Sequence, residues 1–252
     1  SKKPMHKSLR VSKKRTSGRN NQGRITVRHR GGGAKSKIRL VDYRLTQVNS
    51  YQVLAKEYDP RRSGYLAAAI TDKQEKRYVP FIEGMEVGKT YHVGESVDIA
   101  VGNRCQLLNI PVGESISCIQ LSIGKAASAV RSAGTKAQLM AKDNGYALIK
   151  MPSNEVRKVD LRCFATIGEV SNSQHNIERI GSAGRKRNMG IRPSVRGKVM
   201  NPVDHPHGGG EGRQSIGMKH PKTPWGRAAL GVKTRKNKQT NKMIVRDRRI
   251  RK

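Results

Sequence analysis

Between Ile38 and Val159 apolar residues return at every second position in short runs, each ended by a cluster of turn formers. A period of two puts alternate side chains on one face of an extended chain, so these runs predict strands rather than helices. They are Ile38–Tyr43, Tyr51–Tyr58, Tyr65–Ile70, Arg77–Ile82, Ser96–Val101, Ser115–Leu121, Ala137–Ala141, Gly145–Met151 and Glu155–Val159, with DPRRSG and TDKQEK among the separators. Five or so short strands on either side of Gly102–Asn103 predict two small barrels or curled sheets. In the last quarter no period persists, and its Gly, Pro, Arg and Lys predict an irregular extension. No internal repeat is apparent.

Charge sharpens this division. The 252 residues hold 52 Lys and Arg against 18 Asp and Glu, a net +34. Residues 1–35 contain 12 basic and no acidic side chains, 36–175 contain 19 and 14, and 176–252 contain 21 and 4. The near-balanced centre also holds most of the β-branched and aromatic residues, so it is the part able to bury a core. The ends cannot offset their ordering entropy by apolar burial and are expected to fold on a partner. The chain is therefore divided into a basic N-terminal extension (1–35), two domains (36–101 and 102–175) and a basic C-terminal extension (176–252).

So large a positive charge calls for a polyanion. An anionic membrane fits less well, because the ends lack the apolar helical face of an interfacial anchor and the longest aliphatic run, Leu66–Ile70, is far too short to span a bilayer. Ser1–Arg15 is charged throughout, without the apolar middle of a secretory signal. The expectation is a soluble intracellular chain with no membrane partner and no homo-oligomer. Cys105, Cys118 and Cys163 are odd in number and show no CxxC spacing, which favours buried structural thiols over disulfides or zinc ligands.

Two segments invite a chemical reading. GMEVGKT at Gly84–Thr90 resembles a phosphate-binding loop, but it has three residues between its glycines and is not followed by a long helix, so it reads as a turn. VDHPHGGGEGR at Val203–Arg213 gathers Asp204, His205, His207 and Glu211, which could serve as metal ligands or as acid and base. Pro206 between the histidines and the three glycines after them make a poor rigid scaffold for either. The competing reading is contact with RNA: Gly208, Gly209 and Gly210 let backbone amides approach phosphate or ribose, while His205, His207 and Arg213 hydrogen-bond and stack. GRNNQGRITVRHRGGGAK at Gly18–Lys35 follows the same logic. Here Arg19, Arg24, Arg28, Arg30 and Lys35 alternate with Asn20, Asn21, Gly31, Gly32 and Gly33, offering guanidinium forks, amides and close backbone approach. An enzyme using His205 and a DNA-compacting protein remain the rivals. The second would need charge but no such loop.

MNPVDHPHGGGEGR at Met200–Arg213, followed by KTPWGRAALGVKTRKNKQTNKMIVR from Lys222, resembles the universal large-subunit ribosomal protein number two family in its bacterial or organellar form. GRNNQGRITVRHRGGG, EYDPRRS, NIPVG, RSAGT, EVRKV and ATIGEV extend the resemblance over residues 18–246. It implies an OB-like barrel at 36–101, an SH3-like barrel at 102–175, and extensions threaded through ribosomal RNA. It also implies a structural, non-catalytic role beside the peptidyl transferase region, with support of subunit association and tRNA binding. The expected RNA-contacting set gains Arg196, Asn201, Trp225, Lys233, Arg235, Lys236 and Lys238. The implied partners are large-subunit ribosomal RNA, neighbouring ribosomal proteins and the small subunit through an intersubunit contact. No cofactor is expected beyond magnesium that accompanies RNA. The sequence departs from the family at Ala34, where histidine is usual, and at RKRNMG from Arg185, which lacks a tryptophan, so contacts there are not carried over. These departures, together with RHRGGG and the ALG after Trp225, lean toward a mitochondrial or plastid ribosome, with the bacterial cytoplasm as the alternative.

Overall fold

The computed structural model describes residues 6–12, 14–213 and 215–249. They sort into two compact units, one formed by 6–12, 36–179 and 239–249, the other by 14–35 and 180–238. The first is mainly β. Its strands in chain order are β1 (Arg10–Ser12), β2 (Lys37–Arg39), β3 (Ser50–Glu57), β4 (Leu66–Thr71), β5 (Lys76–Pro80), β6 (Thr90–His92), β7 (Arg104–Gln106), β8 (Ser115–Ser117), β9 (Ala137–Asp143), β10 (Tyr146–Lys150), β11 (Val156–Asp160), β12 (Phe164–Ile167) and β13 (Ile244–Arg246). All strand pairing is antiparallel: a β1–β2 ribbon, a sheet ordered β5-β4-β3-β6, and a sheet ordered β13-β11-β10-β9-β8-β12-β7. Among the described residues no helix is long and apolar enough to cross a membrane.

The sequence LAAAIT of β4 shows why the first sheet packs as it does. Ala67 and Ala69 face a core that includes Val53, Val79, Phe81 and Tyr91, while Leu66 and Ala68 face a second, smaller cluster with Tyr78, Leu9, Val41 and Ala55. A strand covered on both faces loses the alternation of a half-exposed one. Its small side chains let two layers close on it. Asp59, from EYDPRRS, is fully buried and fixes the turn after β3. Its carboxylate accepts from the backbone N–H of Arg61 at 2.9 Å and from the Arg62 guanidinium at 2.6 Å, with Arg39 at 3.7 Å. Removing one partner of such a group would leave an uncompensated buried charge.

The second sheet wraps a core of Leu107, Ile110, Ile116, Ile119, Leu139, Ile149 and the thiols Cys105 and Cys163. Burial pushes all three cysteine thiols up to about 11, and none is paired, so they behave as small apolar side chains. The β9–β10 hairpin turns on Asn144 and Gly145, both with positive φ, the backbone of a two-residue turn whose twist matches the strands it joins. The two sheets share packing: Cys118, Ala127 and Val170 belong to the first core, and Val93 bridges to Arg104. Arg104 is itself buried. Its Nη1 donates to Cys118 O at 2.9 Å and to Thr166 Oγ1 at 3.1 Å, and burial lowers the guanidinium pKa below its usual range.

The sequence pattern and the structure differ at several places. Ser96–Val101 alternates like a strand but finds no pairing partner. Its backbone folds back on itself, with Asp98 O accepting from the Ala100 N–H and from Asn103 Nδ2 at 3.0 Å. Strands β1, β6, β7, β12 and β13 were not anticipated, because segments of three or four residues are too short to display a period. Two of them lie in stretches read from charge as extensions. Arg10–Ser12 pairs with Lys37–Arg39, and Ile244–Arg246 pairs with β11. The GMEVGKT segment is a turn leading into β6, with no helix behind it.

Candidate nucleic-acid interface

The second unit has a different physical basis. Its 81 residues carry 21 basic and 2 acidic side chains, a net +19. All the apolar clusters lie in the first unit, and among the described residues His205 is the one buried side chain of the second. What holds it together is main-chain hydrogen bonding.

Near the N-terminal end, Thr26 and Val27 N–H both donate to Gly18 O, and Asn20 Oδ1 accepts from the N–H groups of Gln22 and Arg24 at 3.0 Å each. Asn20 is thus the cap of its loop, while Arg19, Asn21, Arg24 and Arg28 remain exposed. Further on, the two chain segments meet. Gly31 N–H donates to Gly190 O at 2.9 Å, Ala34 N–H to Asn188 O at 2.7 Å, and Arg192 N–H to His29 O at 3.0 Å, while Arg30 bridges to Ile191. A Cβ on Gly33 would sit 2.7 Å from Gly190 N, so this glycine serves the approach of backbone to backbone. The Arg15 guanidinium spans Gly33 O and Ala34 O at 2.6 Å each. A short helix, α1 (Ala183–Asn188), precedes the crossing, with Ser182 Oγ accepting from Arg185 N–H at its start. Arg15, Arg187 and Arg192 were not anticipated, since only their position at this crossing distinguishes them from other cations.

The glycine-rich signature forms a compact knot around His205, which is 7% exposed. Its ring packs on Gly197, where a Cβ would lie 2.5 Å away. Its Nδ1 accepts the His207 N–H at 3.0 Å, and His207 Nε2 accepts the Lys222 N–H at 2.8 Å, the two rings standing 4.7 Å apart. These bonds require both rings to be neutral, with His205 carrying its proton on Nε2 and His207 on Nδ1. The His207 pKa is lowered by desolvation and by the neighbouring His205. Asn201 O accepts from the N–H groups of Asp204 and His205, Gly208 N–H donates to His205 O at 2.8 Å, and Gly209 N–H donates to Met200 O at 3.0 Å. Any side chain at Gly208 would collide with Asn201 O. The ring nitrogens that a metal or a substrate proton would need are thus partly spent on backbone donors. Asp204 and Glu211 are exposed, and no group of three His, Cys, Asp or Glu converges among the described residues.

A small hairpin follows, with Ala229 N–H donating to Pro221 O and Thr223 N–H to Arg227 O, both at 2.7 Å. It presents Trp225 at its tip, 73% exposed, with the Arg28 guanidinium 5.3 Å from the ring centroid. Arg28 and Trp225 are 197 positions apart in sequence and form one stacked pair. Arg196 leads into the 3-10 turn Gly197–Val199, and Arg213, Lys233, Arg235, Lys236 and Lys238 are exposed, Arg235 Nε reaching Asn237 O at 3.1 Å. Lys35 and Gly32 are exposed, and Gly210 lies beyond the knot with positive φ.

Forked cations, an open indole and exposed main chain, in a unit that buries almost nothing, suit a partner supplying phosphates and stacked bases. This combination with a well-packed β unit is that of a structural protein that binds RNA. Residues 6–92 match the family model of the RNA-binding N-terminal domain of ribosomal proteins L2, and residues 100–226 match that of their C-terminal domain. The chain belongs to the ribosomal protein L2 family, and so is a structural, RNA-binding protein of the large ribosomal subunit and not an enzyme.

Proposed function

We propose that this chain docks its β unit on the surface of large-subunit ribosomal RNA while the second unit enters the RNA near the peptidyl transferase region. There it supports subunit association, tRNA binding and translation. The observation that carries the reading is the net +19 of a unit whose described residues form no apolar core, a charge that a polyanion would both neutralise and order. Residues 36–101 act as the OB-like domain and 102–175 as the SH3-like domain. The RNA contacts come from Arg19, Asn21, Arg24, Arg28, Arg30, Lys35, Arg196, Arg213, Trp225, Lys233, Arg235, Lys236 and Lys238, with the 31–33 and 208–210 glycines shaping the backbone between them. His205 and His207 hold the signature loop in the form that RNA meets, and Asn20 and Asn201 do the same for theirs. Neighbouring ribosomal proteins and the small subunit complete the partners, and magnesium enters only with the RNA. The departures at Ala34 and Arg185–Gly190 favour an organellar ribosome, mitochondrial or plastid, over a bacterial one. The test is cosedimentation of the tagged chain with large subunits through a sucrose gradient. Recovery in the free fraction alone would overturn the assignment.

A further inference from the structure

A cavity of about 360 Å³ opens in the first unit where residues 44–49, 93–95, 120–124 and 162–164 meet. It falls in the size range of small-ligand pockets, and none of its lining belongs to the RNA-contacting set above. Its floor is apolar, with Val48 and Val93 buried and Phe164 half-buried. Gln120, 6% exposed, also lines it. Its Oε1 accepts the Phe164 N–H at 2.9 Å, which orients the amide; among the described residues the NH2 makes no hydrogen bond and is not a fully buried donor. At the rim, the exposed Arg44 guanidinium also lacks a partner among the described residues. Leu45 and Gln47, which frame the same edge, have φ of 53° and 59°, a conformation non-glycine residues adopt only where the surroundings hold them.

We propose that this cavity receives one unpaired nucleotide of ribosomal RNA, its base against Phe164 with an edge acceptor on the Gln120 NH2 and its phosphate at Arg44. The inference rests on the ribosomal RNA-binding reading. Every base combines an apolar face with at least one edge acceptor and carries an anionic phosphate, so it answers the floor, the amide and the cation together. An apolar side chain from a neighbouring protein would use the floor alone, leaving the amide of Gln120 desolvated and unpaired.

The experiment uses the full chain in three forms, unchanged, Ile123→Trp and Gln120→Glu, each assembled into large subunits and recovered from the gradient. Ile123 is an exposed lining residue, so tryptophan there fills the mouth without disturbing the core. Glutamate at 120 keeps an acceptor for the Phe164 N–H but loses the donor. Short-wave ultraviolet cross-linking followed by peptide mass spectrometry should find a nucleotide on the peptide bearing Phe164. Its yield should fall by about tenfold in Gln120→Glu, the effect of losing one buried hydrogen bond to a partner, and at least as far in Ile123→Trp, where the mouth is filled. Absence of that adduct, an adduct undiminished in both variants, or a cross-link from these residues to a protein in its place would overturn the proposal. Failure of the unchanged chain to sediment with large subunits would instead remove the reading beneath it, and the proposal with it.

Discussion

Trp225 differs from its neighbours in offering an exposed aromatic face with a cation already over it. If a base stacks there, Trp225→Ala should weaken binding to a large-subunit RNA fragment by about 1–3 kcal/mol, measured by filter binding, and leave the unfolding of the β unit unchanged. An unaltered affinity would reduce the Arg28–Trp225 pair to a surface contact. His207 gives a pH prediction. Its pKa is lowered in the folded loop, so the unfolded chain takes up the proton first as pH falls. The stabilisation is complete above the ordinary histidine value and is lost progressively below it, as the ring stops accepting the Lys222 N–H. In the RNA-bound protein, protection of that amide, corrected for intrinsic exchange, should therefore decrease from pH 7.5 to pH 5.5, and a constant value would argue against a neutral acceptor ring. The histidines also mark the limit of sequence reading at this scale. The signature was legible as a special loop, but His205 was expected to face RNA and proves to be the buried hub of the knot. Its contact with Gly197 and the donor roles of two backbone N–H groups leave no trace in residue type.

Among the elements, alternation identified the longer strands to within a few residues, as for β3, β9, β10 and β11, since each has one face buried and one exposed. It failed in both directions at short segments. Ser96–Val101 has the pattern and no partner, whereas β12, Phe164–Ile167, has partners on both sides and too few residues for a pattern. Strand pairing is a long-range property, and period two reports only burial. β4 was found as an apolar run, but its use of alanine on two packed faces becomes meaningful only once the layers are seen. Ala67→Leu should overpack that site and lower unfolding stability by about 1–3 kcal/mol in urea titration. A neutral result would mean that the core around Val53 and Val79 is looser than its burial implies.

At the scale of the molecule, charge segregation set a near-balanced centre apart from two basic ends, yet it could not show that segments 14–35 and 180–238 join each other, because backbone crossings carry no charge signature. Without RNA, amide exchange should be slow in the strands of the first unit, β13 included, and fast through most of 180–238, where few groups are buried. Strong protection across 180–238 in the free protein would show that the second unit folds alone. Affinity for ribosomal RNA should fall by roughly three to five decades between about 50 and 200 mM salt if six to ten phosphates are neutralised. A flat response would exclude phosphate as the chief contact. The β1–β2 ribbon and the return of β13 to β11 bear on how that contact is made. They turn both cationic segments into tethered bights, each fastened at its two feet. Among the described residues each segment is held at both ends, so it offers RNA its length. Once one point of a bight lands, its fixed feet hold the remainder at high effective concentration, and landing becomes a zippering in place of a search.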